Sequence, residues 1–173
     1  MIVAVDMKNG IGYQDSLPWP RNSADMEWFR NSTEGHVVLM GGATAKSLPK
    51  ALRNRVNIVY TNRGENLPKE FGKIWGTPED SIKLLDDTYG DTATIWIIGG
   101  AQTYEKFADF ADELYITVFP SIFECDTYLS QDVIDKFPYK IEHQQYDQLD
   151  FMVLSKEDKL NVSTEETVRD DSE

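Results

Sequence analysis

The stretch Ile95-Trp96-Ile97-Ile98-Gly99-Gly100-Ala101-Gln102-Thr103-Tyr104 joins an apolar run to a pair of glycines and then to a helical pattern. The apolar run is too short for a typical helix, and its lack of polar alternation is typical of a strand that is buried on both faces. Glycines between such a strand and a helix allow a phosphate to approach the backbone N–H groups at the helix N-terminus. The full Gly-x-Gly-x-x-Gly pattern is missing, so this stretch alone is weak evidence for a phosphate site.

Similar short apolar runs occur along the rest of the chain, at residues 2–5, 37–40, 56–60 and 114–118. Helical patterns lie between them, at residues 23–33, 78–89 and 101–110. The first has Asn22 or Ser23 as its N-cap, and the second has Thr77 as its cap before a proline. Buried strands that alternate with helices predict an α/β fold with a mostly parallel sheet. After Pro138, two longer runs at 139–146 and 150–155 predict an antiparallel hairpin at the sheet edge.

Composition limits the classes of protein to consider. The 173 residues carry a net charge of −13, which disfavours nucleic acids and anionic membranes as partners. Cys125 is the only cysteine, so an internal disulfide is excluded, and His36 and His143 are too isolated to suggest a metal site. The N-terminus has no signal-peptide pattern, so we expect a cytoplasmic protein. We also expect one domain over residues 1–157 and a flexible acidic tail over residues 158–173.

A second glycine-rich turn follows the run at residues 37–40, where the sequence reads Gly41-Gly42-Ala43-Thr44. Two such turns at the carboxyl ends of sheet strands indicate a binding site for an extended nucleotide. Either turn alone is more often only a tight connection.

Asp25 is the candidate for acid–base or electrostatic chemistry. Helical spacing places it on one face with Trp28 and Phe29, whereas Glu27 lies on another face. The carboxylate either complements the helix dipole or, if half-buried among aromatics, has a raised pKa and holds a cationic or amidine-like ring. The preceding segment, residues 10–19, has glycines at one end and Pro18-Trp19 at the other. This segment, here called the lid loop, is either an active-site lid or a surface loop with a stray apolar pair.

In this order and spacing, the segments resemble the dihydrofolate reductase family across residues 1–155. The elements that carry the resemblance are Val3-Ala4, Ile11-Gly12, Leu17-Pro18-Trp19, Asp25 with Phe29, Met40-Gly41 with Thr44, Arg55, Ile98-Gly99-Gly100 with Tyr104, Tyr115-Ile116-Thr117 and Asp126-Thr127. The resemblance implies a single α/β domain with a twisted eight-stranded, mostly parallel sheet, helices on both faces and an antiparallel C-terminal hairpin. It implies NADPH as the cofactor, dihydrofolate as the small-molecule substrate and a monomer. Hydride would pass from nicotinamide C4 to pterin C6, and N5 would gain a proton.

The resemblance also implies a role for each matching residue. Asp25 would bind the pterin 2-amino group and N3, Thr117 would support that contact, and Leu17 would close over the nicotinamide. The residues implied to bind substrate are Ile2, Ala4, Met26, Phe29, Leu48, Leu52, Arg55, Ile98 and Tyr104. Among these, Arg55 would pair with the substrate glutamate carboxylate. The residues implied to bind the cofactor are Ala4, Ile11, Gly12, Gly41, Gly42, Ala43, Thr44, Thr61, Asn62, Arg63, Gly99, Gly100, Ala101, Gln102, Thr103 and Thr127.

Two positions depart from the family pattern near the adenosine 2′-phosphate. Many relatives place an arginine where this chain has Gly42, and Gln102 stands where a bacterial relative has a second arginine. Arg63 could supply the missing charge. We therefore expect NADPH to bind with a weaker 2′-phosphate contact, or NADH to be tolerated.

Two other functions are compatible with the same scaffold. One is reduction of a different pteridine or pyrimidine, as in the related riboflavin-pathway reductase, but Asp25 together with Arg55 favours folate. The other is a non-catalytic binding or structural subunit, which the acidic tail and missing arginines would suit. The retained Asp25, lid loop and Arg55 argue against it.

Overall fold

The computed structural model describes residues 1–63 and 66–161. Of the predicted flexible tail, residues 162–173 lie outside this part of the chain, so the domain boundary at residue 157 stays a prediction. The strands are β1 Ile2–Val5, β2 Gly10–Gly12, β3 Val37–Gly41, β4 Val56–Tyr60, β5 Phe71–Ile74, β6 Ile95–Gly99, β7 Glu113–Val118, β8 Thr127–Tyr128, β9 Tyr139–Tyr146 and β10 Leu149–Ser155. The helices are α1 Ser23–Thr33, α2 Gly42–Ser47, α3 Pro78–Tyr89, α4 Ala101–Phe107 and α5 Gln131–Asp135, with a 3₁₀ turn at Ala108–Phe110.

The main strands form two hydrogen-bonded groups of four, in the orders β5-β4-β3-β6 and β1-β7-β10-β9. All pairs within the first group are parallel, and β1 also runs parallel to β7. Strand β10 pairs antiparallel with both β7 and β9, and β1 packs beside β6. The predicted fold class is therefore confirmed, with the eight strands hydrogen-bonded as two halves rather than as one uninterrupted ladder.

Strand β3 is buried on both faces, as its uninterrupted apolar sequence predicts. Val37 and Leu39 pack in one hydrophobic cluster, whereas Val38 and Met40 pack in another. Successive side chains of a strand point to opposite faces, so these two clusters mark the two sides of the sheet. Complete burial of all four residues leaves only the strand's carboxyl end, at Gly41, available for binding.

Capping residues fix the two long helices. The Asn22 side chain accepts a hydrogen bond from the Asp25 backbone N–H at 2.9 Å, which resolves the choice between Asn22 and Ser23. The Thr77 hydroxyl accepts from the Asp80 N–H at 3.1 Å, with Pro78 in the first turn. Each cap satisfies a backbone donor that the helix itself cannot pair.

Two predicted boundaries need correction. The helix over 101–110 ends at Phe107 and tightens into the 3₁₀ turn, as helices often do in their last turn. The hairpin strand predicted from residue 150 begins at Leu149, because Asp147 and Gln148 alone form the turn, with φ of 51° and 64°. Two consecutive residues with positive φ are typical of a two-residue hairpin turn.

Candidate active site

Asp25 lies in the first turn of α1 with its carboxyl group half-buried. Burial raises the pKa of this carboxyl above its usual value, and a hydrogen bond from Thr117 opposes the rise only in part. Thr117 is 1% exposed and lies opposite Ala4 in the register of β1 and β7. The carboxyl group is therefore partly desolvated between the first helix and the parallel strands, which matches the burial in the second interpretation of Asp25; that it holds a ring stays a prediction.

Tyr104 forms the adjoining wall of this site. Its hydroxyl donates a hydrogen bond of 2.7 Å to the backbone carbonyl of Ile2. Burial raises the pKa of Tyr104, and the negative charge of Asp25 raises it further. The phenol is therefore a neutral group, held within electrostatic reach of the carboxylate.

Apolar side chains surround one side of the site. Phe29, Leu48, Leu52 and Ile98 pack against the buried cluster that contains Ile2. Trp28 lies between two further rings, with ring centroids 4.9 Å from Phe151 and 6.0 Å from Tyr115. Met26 and Leu17 do not join this packing, since they are 43% and 60% exposed. Their predicted contacts with ligand stay predictions.

Arg55 lies beside the same apolar wall, next to Phe29. Its guanidinium donates to Thr33 Oγ1 at 3.1 Å and to the Arg53 carbonyl at 2.9 Å, and it lies 5.9 Å from the centre of the Phe29 ring. Burial lowers the pKa of Arg55, and the nearby carboxylate of Glu34 counteracts that effect. These contacts orient the guanidinium and leave further N–H groups free of the hydrogen bonds described.

The two glycine-rich turns meet at the carboxyl ends of β3 and β6. A Cβ atom on Gly41 would lie 2.5 Å from Thr103 Oγ1, and one on Gly100 would lie 3.4 Å from Thr44 Oγ1. Gly99 has φ of +126° and is followed by a cis peptide bond to Gly100. Helices α2 and α4 both begin after a glycine N-cap with no side-chain cap, so ligand oxygens can approach the backbone closely here.

The remaining residues predicted to bind the cofactor lie around this edge with different exposure. Thr103 is buried, Gly42, Thr61 and Ala101 are half-buried, and Ala43, Asn62, Arg63 and Gln102 are exposed. The Arg63 backbone N–H donates to Thr61 Oγ1 at 3.3 Å, which places this arginine directly after the end of β4.

The lid loop is attached at both ends. At its start, Gly12 pairs with Thr127, and its carbonyl accepts a 2.9 Å hydrogen bond from the Asp126 N–H. The Gln14 N–H in turn donates to Asp126 Oδ2 at 2.9 Å. At its end, the buried Trp19 ring stacks on Phe119 with centroids 4.2 Å apart. Ile11 packs against the main core. The predicted glycine end and tryptophan anchor are both present.

Sequence reasoning missed two acidic residues at this loop. Asp6 is 1% exposed and Asp126 contacts the lid backbone, yet neither was predicted to belong to the site. For Asp6 the only available signal was an acidic residue directly after a buried strand, which is normally a solvated strand end. For Asp126 the signal was its place beside Thr127 in the family pattern.

Within residues 1–63 and 66–161, no group of three or more His, Cys, Asp or Glu side chains could hold a metal ion. In the same residues, every helix is too short or too polar to cross a bilayer.

The pH dependence of folding stability tests the burial of Asp25. Its folded-state pKa is raised, so the folded protein binds more protons than the unfolded chain, and stability falls as pH rises through that window. Asp25→Asn is therefore expected to raise the thermal midpoint at pH 7, with a gain that disappears below about pH 4, the usual range of an unperturbed Asp. Thermal melts from pH 3 to 8 measure this, with Glu27→Gln on the exposed face of the same helix as the control. A rise in the thermal midpoint of Asp25→Asn that is the same at every pH would contradict the burial of the Asp25 carboxyl group.

A half-buried carboxyl group at the junction of a helix with buried parallel strands, beside an apolar wall, is the arrangement of an α/β enzyme. Comparison with known proteins narrows this class. The sequence model of the family described as dihydrofolate reductase matches residues 1–164. The chain therefore belongs to the dihydrofolate reductase family.

Individual relatives agree with this family. The chain is 34% identical to a dihydrofolate reductase of Staphylococcus haemolyticus over 128 residues, which are 74% of each protein. It is 32% identical to a dihydrofolate reductase of Haemophilus influenzae over 150 residues, 87% of this chain and 88% of the relative. A dihydrofolate reductase type 8 of Escherichia coli is 32% identical over 133 residues, covering 74% of this chain and 78% of the relative.

Proposed function

We propose that the protein reduces 7,8-dihydrofolate to 5,6,7,8-tetrahydrofolate with NADPH. The observation that carries this proposal is the desolvated Asp25 carboxyl, held beside Thr117 and within reach of Tyr104 at the strand ends. A desolvated carboxylate beside an apolar wall suits a flat ring with adjacent N–H donors, such as the amidine-like edge of a pterin.

Asp25 accepts hydrogen bonds from the pterin 2-amino group and N3 in this mechanism, and Thr117 orients the carboxylate. A carboxylate that binds N3 and the 2-amino group lies on the pyrimidine side of the pterin, away from N5, so a water delivers the N5 proton. Asp25 then lowers the barrier through its negative charge, which favours the protonated, cationic ring in a site of low dielectric constant. The apolar wall of Ile2, Phe29 and Ile98 keeps bulk water from competing with that charge.

The glycine-lined edge suits the phosphates of a dinucleotide, because α2 and α4 both begin there after glycine N-caps with no side-chain cap, so their first backbone N–H groups can donate to anionic oxygens. Gly41, Thr44, Gly99 and Gly100 would hold the pyrophosphate, and Thr61 to Arg63 would lie near the adenosine. When bound, NADPH supplies the hydride from nicotinamide C4. Leu17, exposed on the lid loop, would close over that ring and exclude water.

The direct test is the loss of absorbance at 340 nm when the protein is mixed with NADPH and dihydrofolate. We expect turnover that requires both compounds and is abolished by methotrexate. Turnover only with another pteridine or pyrimidine would favour the alternative reductase. Tight binding of both ligands without turnover would favour a non-catalytic subunit.

Restoring an arginine at position 42 tests the predicted weakness of the 2′-phosphate site. Gly42 opens α2 beside the glycine-lined edge. A charge-assisted hydrogen bond contributes about 1.5–3 kcal/mol, so Gly42→Arg is expected to improve the preference for NADPH over NADH by about tenfold or more. Steady-state kinetics and isothermal titration with each cofactor measure this preference.

The matched control is Gln145→Arg, which adds the same charge on strand β9 at the opposite edge of the fold. It should leave the preference unchanged. Equal effects of both substitutions would mean that only net charge matters, and an unchanged preference in Gly42→Arg would place the 2′-phosphate elsewhere.

A further inference from the structure

Asp6 is a buried carboxylate that the proposed mechanism does not use. It directly follows β1, is 1% exposed, and receives four hydrogen bonds. Asp6 Oδ1 accepts from the backbone N–H groups of Lys8 and Gly10, both at 2.8 Å. Asp6 Oδ2 accepts from the Phe123 N–H at 3.0 Å and from the Cys125 thiol at 3.6 Å.

These four donors belong to two separate segments. Lys8 precedes the lid loop and Gly10 is its first residue, whereas Phe123 and Cys125 belong to residues 121–127, here called the bracing segment. The bracing segment also contains Asp126, which binds the lid backbone at Gly12 and Gln14. Asp6 therefore links the start of the lid loop to the bracing segment, and Asp126 links the same two segments a second time, at Gly12 and Gln14.

The packing around Asp6 leaves little freedom. A Cβ atom on Gly10 would lie 2.3 Å from Cys125 Sγ and 3.1 Å from the carboxyl carbon of Asp6. Burial raises the pKa of Asp6, but the hydrogen bonds from Phe123, Gly10, Lys8 and Cys125 together outweigh it and lower the pKa. Asp6 is therefore a charged, fully bonded group, and each of its oxygens is committed to one of the two segments.

We propose that Asp6 is a positioning residue that couples the lid loop to the bracing segment and so holds the lid where it can cover the reacting rings. This proposal rests on the proposed function in one respect, namely that the lid loop closes over the bound substrate and cofactor. Asp6 itself contacts neither the carboxyl group of Asp25 nor the glycine-lined edge in the hydrogen bonds described. Its effect on the reaction is transmitted through the backbone of Gly10 to Gln14.

Asp6→Asn tests the coupling with almost no change in shape. The amide can keep one oxygen as acceptor, but its NH₂ group must then face a donor, either the Phe123 N–H or the pair from Lys8 and Gly10. One segment is released, and the fraction of molecules with a correctly placed lid falls. We expect the hydride-transfer rate in single turnovers at saturating ligands to fall about tenfold, because a lost hydrogen bond to a charged group shifts a two-state equilibrium by that order.

Dissociation constants for NADPH and dihydrofolate should change far less than this rate, since the contacts of the binding sites are retained. Leu85→Ala on α3 is the matched control, because it destabilises the core at a buried residue away from the lid. It should leave the single-turnover rate unchanged at temperatures well below its melting midpoint. Hydrogen exchange should increase at residues 8–14 and 121–127 in Asp6→Asn alone.

A double-mutant cycle with Asp126→Asn separates coupling from simple loosening. If both residues act through the same lid position, their effects should not multiply. The single-turnover rate of the double variant should then be close to that of the slower single variant. Rate losses that multiply would overturn the proposal. So would a single-turnover rate for Asp6→Asn that equals that of the wild type or of Leu85→Ala.

The side chain of Cys125 gives a milder test if Asp6→Asn fails to fold. Cys125→Ala removes one donor from Asp6, whereas Cys125→Ser keeps a hydroxyl donor of similar size. We expect Cys125→Ala to slow hydride transfer and Cys125→Ser to preserve it, and equal rates would overturn the proposal. Failure of the proposed function is distinct from either result, since the wild-type protein would then show no dihydrofolate-dependent oxidation of NADPH.

Discussion

Replacing Asp25 by asparagine is expected to lower the single-turnover rate of dihydrofolate reduction by about 10²–10³-fold, the usual cost of removing one preorganised electrostatic group from an active site. The substitution keeps the shape of the side chain and the cap contact between the Asp25 N–H and Asn22. It removes the negative charge that the structure places beside Thr117 and Tyr104. The protonated pterin then loses its counter-charge, whereas NADPH should bind largely as before.

Stopped-flow measurement of NADPH oxidation at several pH values, with NADPH affinity from fluorescence titration, checks this expectation. Thr117→Val is the matched variant, because it retains the carboxylate and removes only the hydroxyl that supports it. Thr117→Val should lower the single-turnover rate by a smaller factor than Asp25→Asn does. An Asp25→Asn protein that reduces dihydrofolate at the wild-type rate would remove the basis of the proposed mechanism.

The parallel strands and the first helix could be predicted because their signals are local. Strand β3 reads as an uninterrupted apolar run, and the structure buries it completely on both sides of the sheet. Helix α1 begins after a side chain that can accept from its own first turn, so Asn22 and Ser23 were the only sensible caps. In both elements, the residues that decide the conformation are neighbours in sequence.

Strand β5, by contrast, was not predicted from residues 71–74. Its sequence, Phe71-Gly72-Lys73-Ile74, contains a glycine and a lysine that hide the apolar pattern. The short pairing of β2 with β8 was missed for a related reason, since it joins segments more than a hundred residues apart. The conformation of such elements depends on the strands they pair with and pack against, and these partners are distant in sequence.

Parts of the candidate site also depend on distant contacts. The requirement for glycine at position 41 comes from the Thr103 hydroxyl, and the placement of Tyr104 comes from the Ile2 carbonyl. The resemblance to a family supplied these residues, but it gave no physical reason for them. Asp6 shows the reverse case, because its importance is visible only once four donors from two segments surround it.

Arg55 offers the second large effect, this time on substrate affinity rather than on chemistry. Its guanidinium is already oriented by Thr33 and by the Arg53 carbonyl, so little entropy is lost when it pairs with a carboxylate. Arg55→Leu is expected to raise the Kd for dihydrofolate by about 10–100-fold, the range for a lost charge-assisted hydrogen bond. The rate of hydride transfer at saturating substrate should change little, because the described contacts of Arg55 are with Arg53, Thr33 and Phe29 and none is with Asp25.

A substrate without the glutamyl chain makes this test specific. A simple 7,8-dihydropterin presents the same ring to Asp25 but no carboxylate to Arg55, so its binding should be equally weak in the wild type and in Arg55→Leu. Arg55→Lys is the matched control, since it keeps the charge but not the planar fork that donates two parallel hydrogen bonds to a carboxylate. The Kd of Arg55→Lys for dihydrofolate should lie between those of the wild type and of Arg55→Leu. If Arg55→Leu weakened both substrates equally, the arginine would be supporting the packing of Phe29 rather than recognising the glutamate carboxylate, and the assignment of folate over simpler pterins would lose its main structural reason.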